Sequence, residues 1–287
     1  MKNILVTGAN GQLGQSLFRL TGEYPQYNFF FTDVDTLDIC NKEAITDYVQ
    51  SKNIHCILNC AAYTAVDNAE DNTESANKIN NEAVKNLGEV AHLVKARMIH
   101  ISTDYVFDGK SYLPYKESDP TCPASVYGKT KLEGELSLLK VCPEAVIIRT
   151  SWLYSEFGNN FVKTMIRLGQ ERDELRVIFD QVGTPTYAGD LASAMLVILS
   201  QGEIGGGTPG IYHFSNEGVC SWYDFALKIM QLKQISCFVH PIETKDYPTR
   251  ASRPHYSVLN KAKIKTTYGI TIPHWEESLT EMIKGLQ

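Results

Sequence analysis

Three observations predict an α/β fold built on a doubly wound parallel sheet. A glycine-rich turn directly follows the first apolar run, short apolar runs alternate with helical patterns through the first 151 residues, and an acid closes the second run. Alternation of this kind means βαβ units, right-handed crossovers and a sheet covered by helices on both faces. Such sheets bind ligands beyond the C-terminal ends of their strands. The loops after Val6, Phe31, Asn59, Ile101 and Ile148 are therefore expected to carry the chemistry.

The first strand, near 2–7, runs into Thr7-Gly8-Ala9-Asn10-Gly11-Gln12-Leu13-Gly14, which opens a helix at 12–21. Glycines in such a turn let backbone N–H groups and a helix N-terminus approach a pyrophosphate where a Cβ would collide. Gly8, Asn10, Gly11, Gln12, Leu13 and Gly14 are thus expected to bind a dinucleotide, although the spacing is G-x-x-G-x-x-G rather than G-x-G-x-x-G. The second strand, 28–33, ends at Asp33, placed to accept hydrogen bonds from an adenosine ribose; its other reading is a turn or cap aspartate. An acid there disfavours a 2′-phosphate, which favours NADH and leaves NADPH open. Asp38 and Ile39 are expected to flank the adenine.

A helix at 42–52 leads to a strand at 54–60, closed by Ala61-Ala62-Tyr63-Thr64, whose small residues permit close approach of a cofactor. A helix over 75–95 then leads to a strand at 97–102, followed by Ser102-Thr103-Asp104-Tyr105. A hydroxyl there can bond a reacting carbonyl oxygen or a neighbouring hydroxyl. Helix 125–140 opens with Tyr127-Gly128-Lys129-Thr130-Lys131, one turn separating a phenol from an ammonium. A surface helix yields the same pattern, but here it follows the strand-end hydroxyls. A charged lysine beside the tyrosine is expected to lower the phenol from its usual pKa of about 10. Tyr127 is then a general acid at neutral pH.

After a strand at 145–151 the pattern loosens into Gly- and Pro-bearing loops with helices near 159–170, 190–200, 221–232 and 275–285. Residues 1–151 read as a nucleotide-binding, Rossmann-like domain and 152–287 mainly as a smaller, interleaved substrate lobe, with 174–179 and 210–214 expected to add strands to the sheet.

At 287 residues and 43% hydrophobic content the chain can bury a large core. The net charge of −6 argues against nucleic acid or an anionic membrane as main partner. The first strand begins too early for a secretion signal, and no apolar stretch is long enough to span a bilayer. Seven scattered cysteines, an odd number, read as free thiols of a reducing, cytoplasmic compartment. Cys56 and Cys60 share a face but have no His or carboxylate at ligand spacing, so no metal site is expected.

The glycine turn, the strand-end Ser102-Thr103 and Tyr127-x-x-x-Lys131 together resemble the short-chain dehydrogenase/reductase family in its extended, sugar-nucleotide form. S-T-D-Y-V-F-D-G (102–109), V-Y-G-K-T-K (126–131), R-T-S-W-L-Y (149–154), G-N-N-F (158–161) and A-S-R-P (251–254) resemble, in order and spacing, the dTDP-4-dehydrorhamnose reductase family over essentially the full length. The resemblance implies hydride delivery from NADPH or NADH to C4 of dTDP-4-dehydro-L-rhamnose, giving dTDP-L-rhamnose for surface polysaccharide. It implies that Tyr127 protonates the C4 alkoxide, that Lys131 binds the nicotinamide ribose and tunes Tyr127, and that Thr103 orients the sugar. Ser102, Asp104, Trp152 and Asn160 are implied substrate contacts, and Arg253 an implied partner of the substrate pyrophosphate, its other reading being a surface ion pair.

One departure concerns assembly. The family's magnesium-bridged dimer uses glutamates where this chain has Gln15 and, near the second position, Gly189. An amide is a poorer ligand for a hard cation than a carboxylate, so no magnesium dimer is expected by that route, and monomer or homodimer stays open. A sugar-nucleotide epimerase or dehydratase shares the fold and the Tyr/Lys pair, but dehydratases carry Thr-Asp-Glu where this chain has Thr103-Asp104-Tyr105. A regulatory subunit resembling the methionine adenosyltransferase β subunit is the alternative of another class; Thr103, Tyr127 and Lys131 together disfavour it.

Overall fold

The computed structural model describes residues 1–201 and 207–286. Its first half runs β1 (Lys2–Thr7), α1 (Gln12–Leu20), β2 (Tyr27–Thr32), α2 (Lys42–Ser51), β3 (Ile54–Asn59), α3 (Val66–Asp71), α4 (Thr73–Asn77), α5 (Ala83–Val94), β4 (Arg97–Thr103), α6 (Val126–Val141) and β5 (Val146–Thr150). The remainder runs β6 (Leu153–Tyr154), α7 (Phe161–Glu171), β7 (Glu174–Ile178), β8 (Val182–Gly183), β9 (Thr186–Tyr187), α8 (Ala188–Ser200), β10 (Gly210–His213), β11 (Cys220–Ser221), α9 (Trp222–Lys233), β12 (Phe238–Ile242), α10 (Ala262–Tyr268) and α11 (Trp275–Gly285).

Six strands pair in parallel in the order β10-β5-β4-β3-β1-β2. Alternate residues of one strand feed opposite cores: Ile4 and Val6 pack with Leu13 and Leu17 of α1 and with α8, whereas Leu5 packs with Ile45 of α2, Leu87 of α5 and Leu138 of α6. Burial of both faces explains why these strands are continuous apolar runs. The chain moves outward from β1 to β2, then returns to β3 on the other side of β1. That reversal opens a crevice beyond the ends of β1 and β3, the usual place for a ligand in such sheets.

Two expectations are corrected. Glu174–Ile178 does not join the central sheet; it pairs in parallel with β12 in a separate two-stranded sheet, and only Gly210–His213 extends the main sheet, alongside β5. Leu175 and Val177 face a third core with Phe225, Trp275 and Leu279, while Glu174 and Arg176 are exposed. A strand with only one apolar face cannot be covered on both. The helix expected over 75–95 is instead α4 and α5 joined by a π-helical turn at Lys78–Glu82, with α3 before them. The turn serves buried Asn80, which accepts from the Tyr63 N–H at 2.8 Å and donates to the Tyr63 carbonyl and the Thr130 hydroxyl at 3.1 and 3.2 Å. It pins the loop after β3 to α6, as such inserted turns often serve local function.

Candidate active site

The crevice is a cleft of about 900 Å³ walled by the loops after β1, β2, β3, β4 and β5. Gly8 adopts φ +67°, and a Cβ there would lie 2.6 Å from the Ala61 nitrogen. A Cβ at Gly14 would lie 2.5 Å from the Gly8 carbonyl oxygen, so that glycine lets α1 close onto the turn. Gly8, Gly11, Gln12 and Leu13 line the cleft; Asn10 and Gly14 do not. Both glycines let the chain close on itself, Gly8 against the loop after β3 and Gly14 against the turn, and so fix the shape of the turn that opens α1 at the cleft wall.

Asp33 also faces the cleft and has the turn role: Oδ2 accepts from the Asn10 N–H at 2.9 Å and Oδ1 from the Val34 N–H at 2.8 Å. The carboxylate braces the glycine turn while presenting its remaining lone pairs outward. Asp38, Ile39, Ala61, Ala62 and Thr64 complete this half, whereas Tyr63 is held away by Asn80. Ser75, Lys78 and Ile79 reach the same cleft from α4 and the π turn, residues that an uninterrupted helix gave no reason to single out.

Ser102, Thr103 and Asp104 form the opposite wall. The Thr103 hydroxyl donates to Asp104 Oδ1 at 3.0 Å and accepts from the Tyr105 N–H at 3.2 Å. Ser102 Oγ and Asp104 Oδ2 are buried with no hydrogen-bond partner among the described residues. Burial raises the Asp104 carboxyl to about 7, against the opposing effect of the Thr103 and Ser257 hydroxyls.

Helix α6 starts at Ser125, whose hydroxyl accepts from the Gly128 N–H at 3.1 Å. A Cβ at Gly128 would lie 2.3 Å from the Tyr105 carbonyl oxygen, so this glycine brings the helix against the loop after β4. The rings of Tyr105 and Tyr127 meet edge to face at 5.5 Å. One turn on, buried Lys131 donates from Nζ to the Ile101 carbonyl at 2.6 Å and lies 3.5 Å from His100 Nε2. One turn further, Arg149 of β5 forks onto Glu135 at 3.0 and 2.7 Å, with both side chains buried, and fixes the helix to the sheet.

The expectation that Lys131 lowers the Tyr127 phenol is corrected. Burial pushes Tyr127 up to about 12, the Thr103 hydroxyl opposing and the Asp104 charge adding to it, and burial pulls Lys131 down to about 8. The ammonium spends a proton on the Ile101 carbonyl, and desolvation disfavours both charged forms.

Trp152 lines the cleft at φ +48° with its ring stacked 3.6 Å from that of Trp222. Asn160, also a wall residue, caps α7 by accepting from the Lys163 N–H at 3.1 Å and donates to Gln12 Oε1 at 3.0 Å. This pair ties the glycine turn to the start of α7. Arg253 is not a wall residue: its guanidinium forks onto Asp67 at 2.6 and 3.1 Å, and that pairing holds the Asp67 carboxyl below its ordinary range.

Residues 1–287 match the family described as RmlD substrate binding domain. A dTDP-4-dehydrorhamnose reductase from Aggregatibacter actinomycetemcomitans is 44% identical to this chain, covering 97% of each. Among solved structures, a dTDP-4-dehydrorhamnose reductase from Clostridium acetobutylicum matches with a TM-score of 0.94 at 45% identity, covering 99% of both chains. Another, from Bacillus anthracis in complex with NADP, matches with a TM-score of 0.94 at 39% identity, covering 99% of this chain and 100% of that one.

Proposed function

The chain belongs to the dTDP-4-dehydrorhamnose reductase family, and on that footing we propose that its cleft reduces the C4 keto group of dTDP-4-dehydro-L-rhamnose with NADPH or NADH, giving dTDP-L-rhamnose. The observation that carries the reading is the convergence of Thr103, Tyr127 and Lys131 on the wall of a cleft whose other end is the glycine cradle. The glycine turn, held in shape by the close packing of Gly8 on Ala61, brings backbone N–H groups and the N-terminus of α1 to the cleft wall, an arrangement that fits a dinucleotide pyrophosphate. Gly8, Gly11, Gln12 and Leu13 would hold that pyrophosphate, Asp33, Asp38 and Ile39 the adenosine, and Ala61, Ala62, Thr64 and Lys131 the nicotinamide half. When bound, the nicotinamide supplies the hydride.

Tyr127 gives its phenolic proton to the C4 oxygen as that oxygen gains charge. A phenol at about 12 is fully protonated at neutral pH, as a general acid must be. The cost of leaving a buried phenolate would be offset by the Lys131 ammonium, one helical turn away on the same face of α6. Ser102 Oγ and Asp104 Oδ2, buried and unpartnered, are the polar atoms offered to sugar hydroxyls, and the Trp152 ring, backed by Trp222, is an apolar wall for the sugar. Arg253 reaches a diphosphate by leaving Asp67.

No helix of the described residues is long and apolar enough to cross a membrane. The seven free cysteines support a cytoplasmic location. Gln15 of α1 and Gly189 of α8 offer no carboxylate, so the enzyme works as a monomer or as a homodimer without a magnesium bridge. Turnover with nicotinamide cofactor deuterated at the transferable position tests the chemistry: deuterium is expected at C4 of the product sugar, and product free of label would overturn direct hydride transfer.

A further inference from the structure

Behind Lys131 runs a buried polar chain that the reaction as described does not use. Asn59 Oδ1 accepts from the Ala61 N–H at 3.2 Å and the Thr7 hydroxyl at 2.7 Å, and Asn59 Nδ2 stands 3.0 Å from His100 Nδ1. A backbone N–H can only donate, so it is the amide oxygen of Asn59 that faces Ala61, and the amide nitrogen that faces the ring. His100 Nδ1 therefore accepts. His100 is fully buried, and burial together with the Lys131 charge holds its pKa well below the ordinary range, so the ring is neutral and carries its single proton on Nε2. That N–H points at Lys131 Nζ, 3.5 Å away.

We propose that His100 is a positioning residue of the reductase reaction: its Nε2–H, aimed by Asn59, sets the proton count and direction of the Lys131 nitrogen. The role rests on the reductase reading above. An N–H donor facing an ammonium opposes it, whereas the same donor facing a neutral amine meets its lone pair. The N–H of His100 thereby adds to burial, which by itself brings Lys131 down to about 8. On the helix of Lys131, Tyr127 and Glu135 lie one turn to either side; of the elements packed on that helix, the turn after β4 brings Asp104 and Tyr105 against Tyr127, and β5 brings Arg149 onto Glu135. Glu135 favours the ammonium, but Arg149 already takes its carboxylate in a fork. His100 is thus the ring that weighs against the charge. Thr7 and Ala61, at the far end of the chain, flank the Gly8 cradle, so the dinucleotide seat and Lys131 share one rigid network.

The test begins with the ligand-free parent protein. Long-range ¹⁵N correlation spectra should show His100 protonated on Nε2 and bare on Nδ1; the reverse tautomer overturns the proposal without any variant. Two substitutions then separate tuning from filling. His100→Gln places an N–H where Nε2 was, and His100→Asn keeps a partner for Asn59 but nothing for Lys131. The Lys131 midpoint, followed by the ¹³Cε shift in lysine-labelled protein, should rise by about one pH unit in His100→Asn and stay within about 0.3 in His100→Gln. The basic limb of the kcat/KM profile should move with it. Equal midpoints in parent and His100→Asn, or equal displacement in both variants, would overturn the proposal. Because the midpoint is read without substrate, absence of turnover in the parent would count against the reductase reading alone.

Discussion

Replacing Asp104 by Asn should make the protein more stable at pH 8 and leave it unchanged at pH 4. The carboxyl is buried and stands at about 7 in the folded protein against an ordinary value of 3.8. Its folded value is raised, so between pH 4 and pH 7 the folded protein holds a proton that the unfolded chain has lost. Stability therefore falls as pH rises through that window and is level above it. A rise of about three pH units at about 1.36 kcal/mol each sets an upper limit of about 4 kcal/mol on the loss. Asn has the same shape, keeps an oxygen to accept from Thr103 and never ionises, so the variant escapes the loss. The check is urea unfolding of both proteins at intervals from pH 4 to pH 8. A difference independent of pH, or a parent that gains on the variant toward pH 7, would refute the argument. Such a residue stores instability in the wall of the cleft.

Tyr127→Phe should lower kcat by about 10²–10⁴-fold while dinucleotide affinity, followed by fluorescence titration, changes little, because it removes only the proton donor. Gly8→Ala puts a Cβ 2.6 Å from the Ala61 nitrogen at φ +67°, so it should cost about 1–3 kcal/mol of stability and weaken dinucleotide binding at least about tenfold, read by thermal unfolding and calorimetry. If Arg253 leaves Asp67 for the substrate, Arg253→Ala should weaken dTDP binding by about 10-fold or more, whereas Asp67→Ala should leave it intact or tighten it. Equal weakening in both variants would make Arg253 a purely structural partner of Asp67.

The central strands were legible because a strand buried on both faces is an unbroken apolar run, and the strand-end loops followed from topology alone. Gly8, Thr103, Tyr127 and Lys131 share the cleft because each sits at the end of a parallel strand or at the start of the helix packed on it. The separate pairing of Glu174–Ile178 had a signal in its Glu-Leu-Arg-Val alternation, which marks one apolar face. The π turn had none: it exists for contacts of Asn80 with Tyr63 and Thr130, distant in sequence. The Asp67 partner of Arg253 was not legible, because it lies 186 residues away along the chain, and the guanidinium chemistry that suits a phosphate suits that carboxylate equally. The state of Tyr127 and Lys131 depends on burial, which is not written in the spacing of a tyrosine and a lysine.

The most direct test of the account is oxidation of NADPH and NADH, followed at 340 nm, by purified protein supplied with dTDP-4-dehydro-L-rhamnose, with the sugar product identified. One cofactor oxidised for each dTDP-L-rhamnose formed is the predicted result. Conversion of the sugar without net cofactor oxidation, or tight dTDP binding with no conversion, would contradict it.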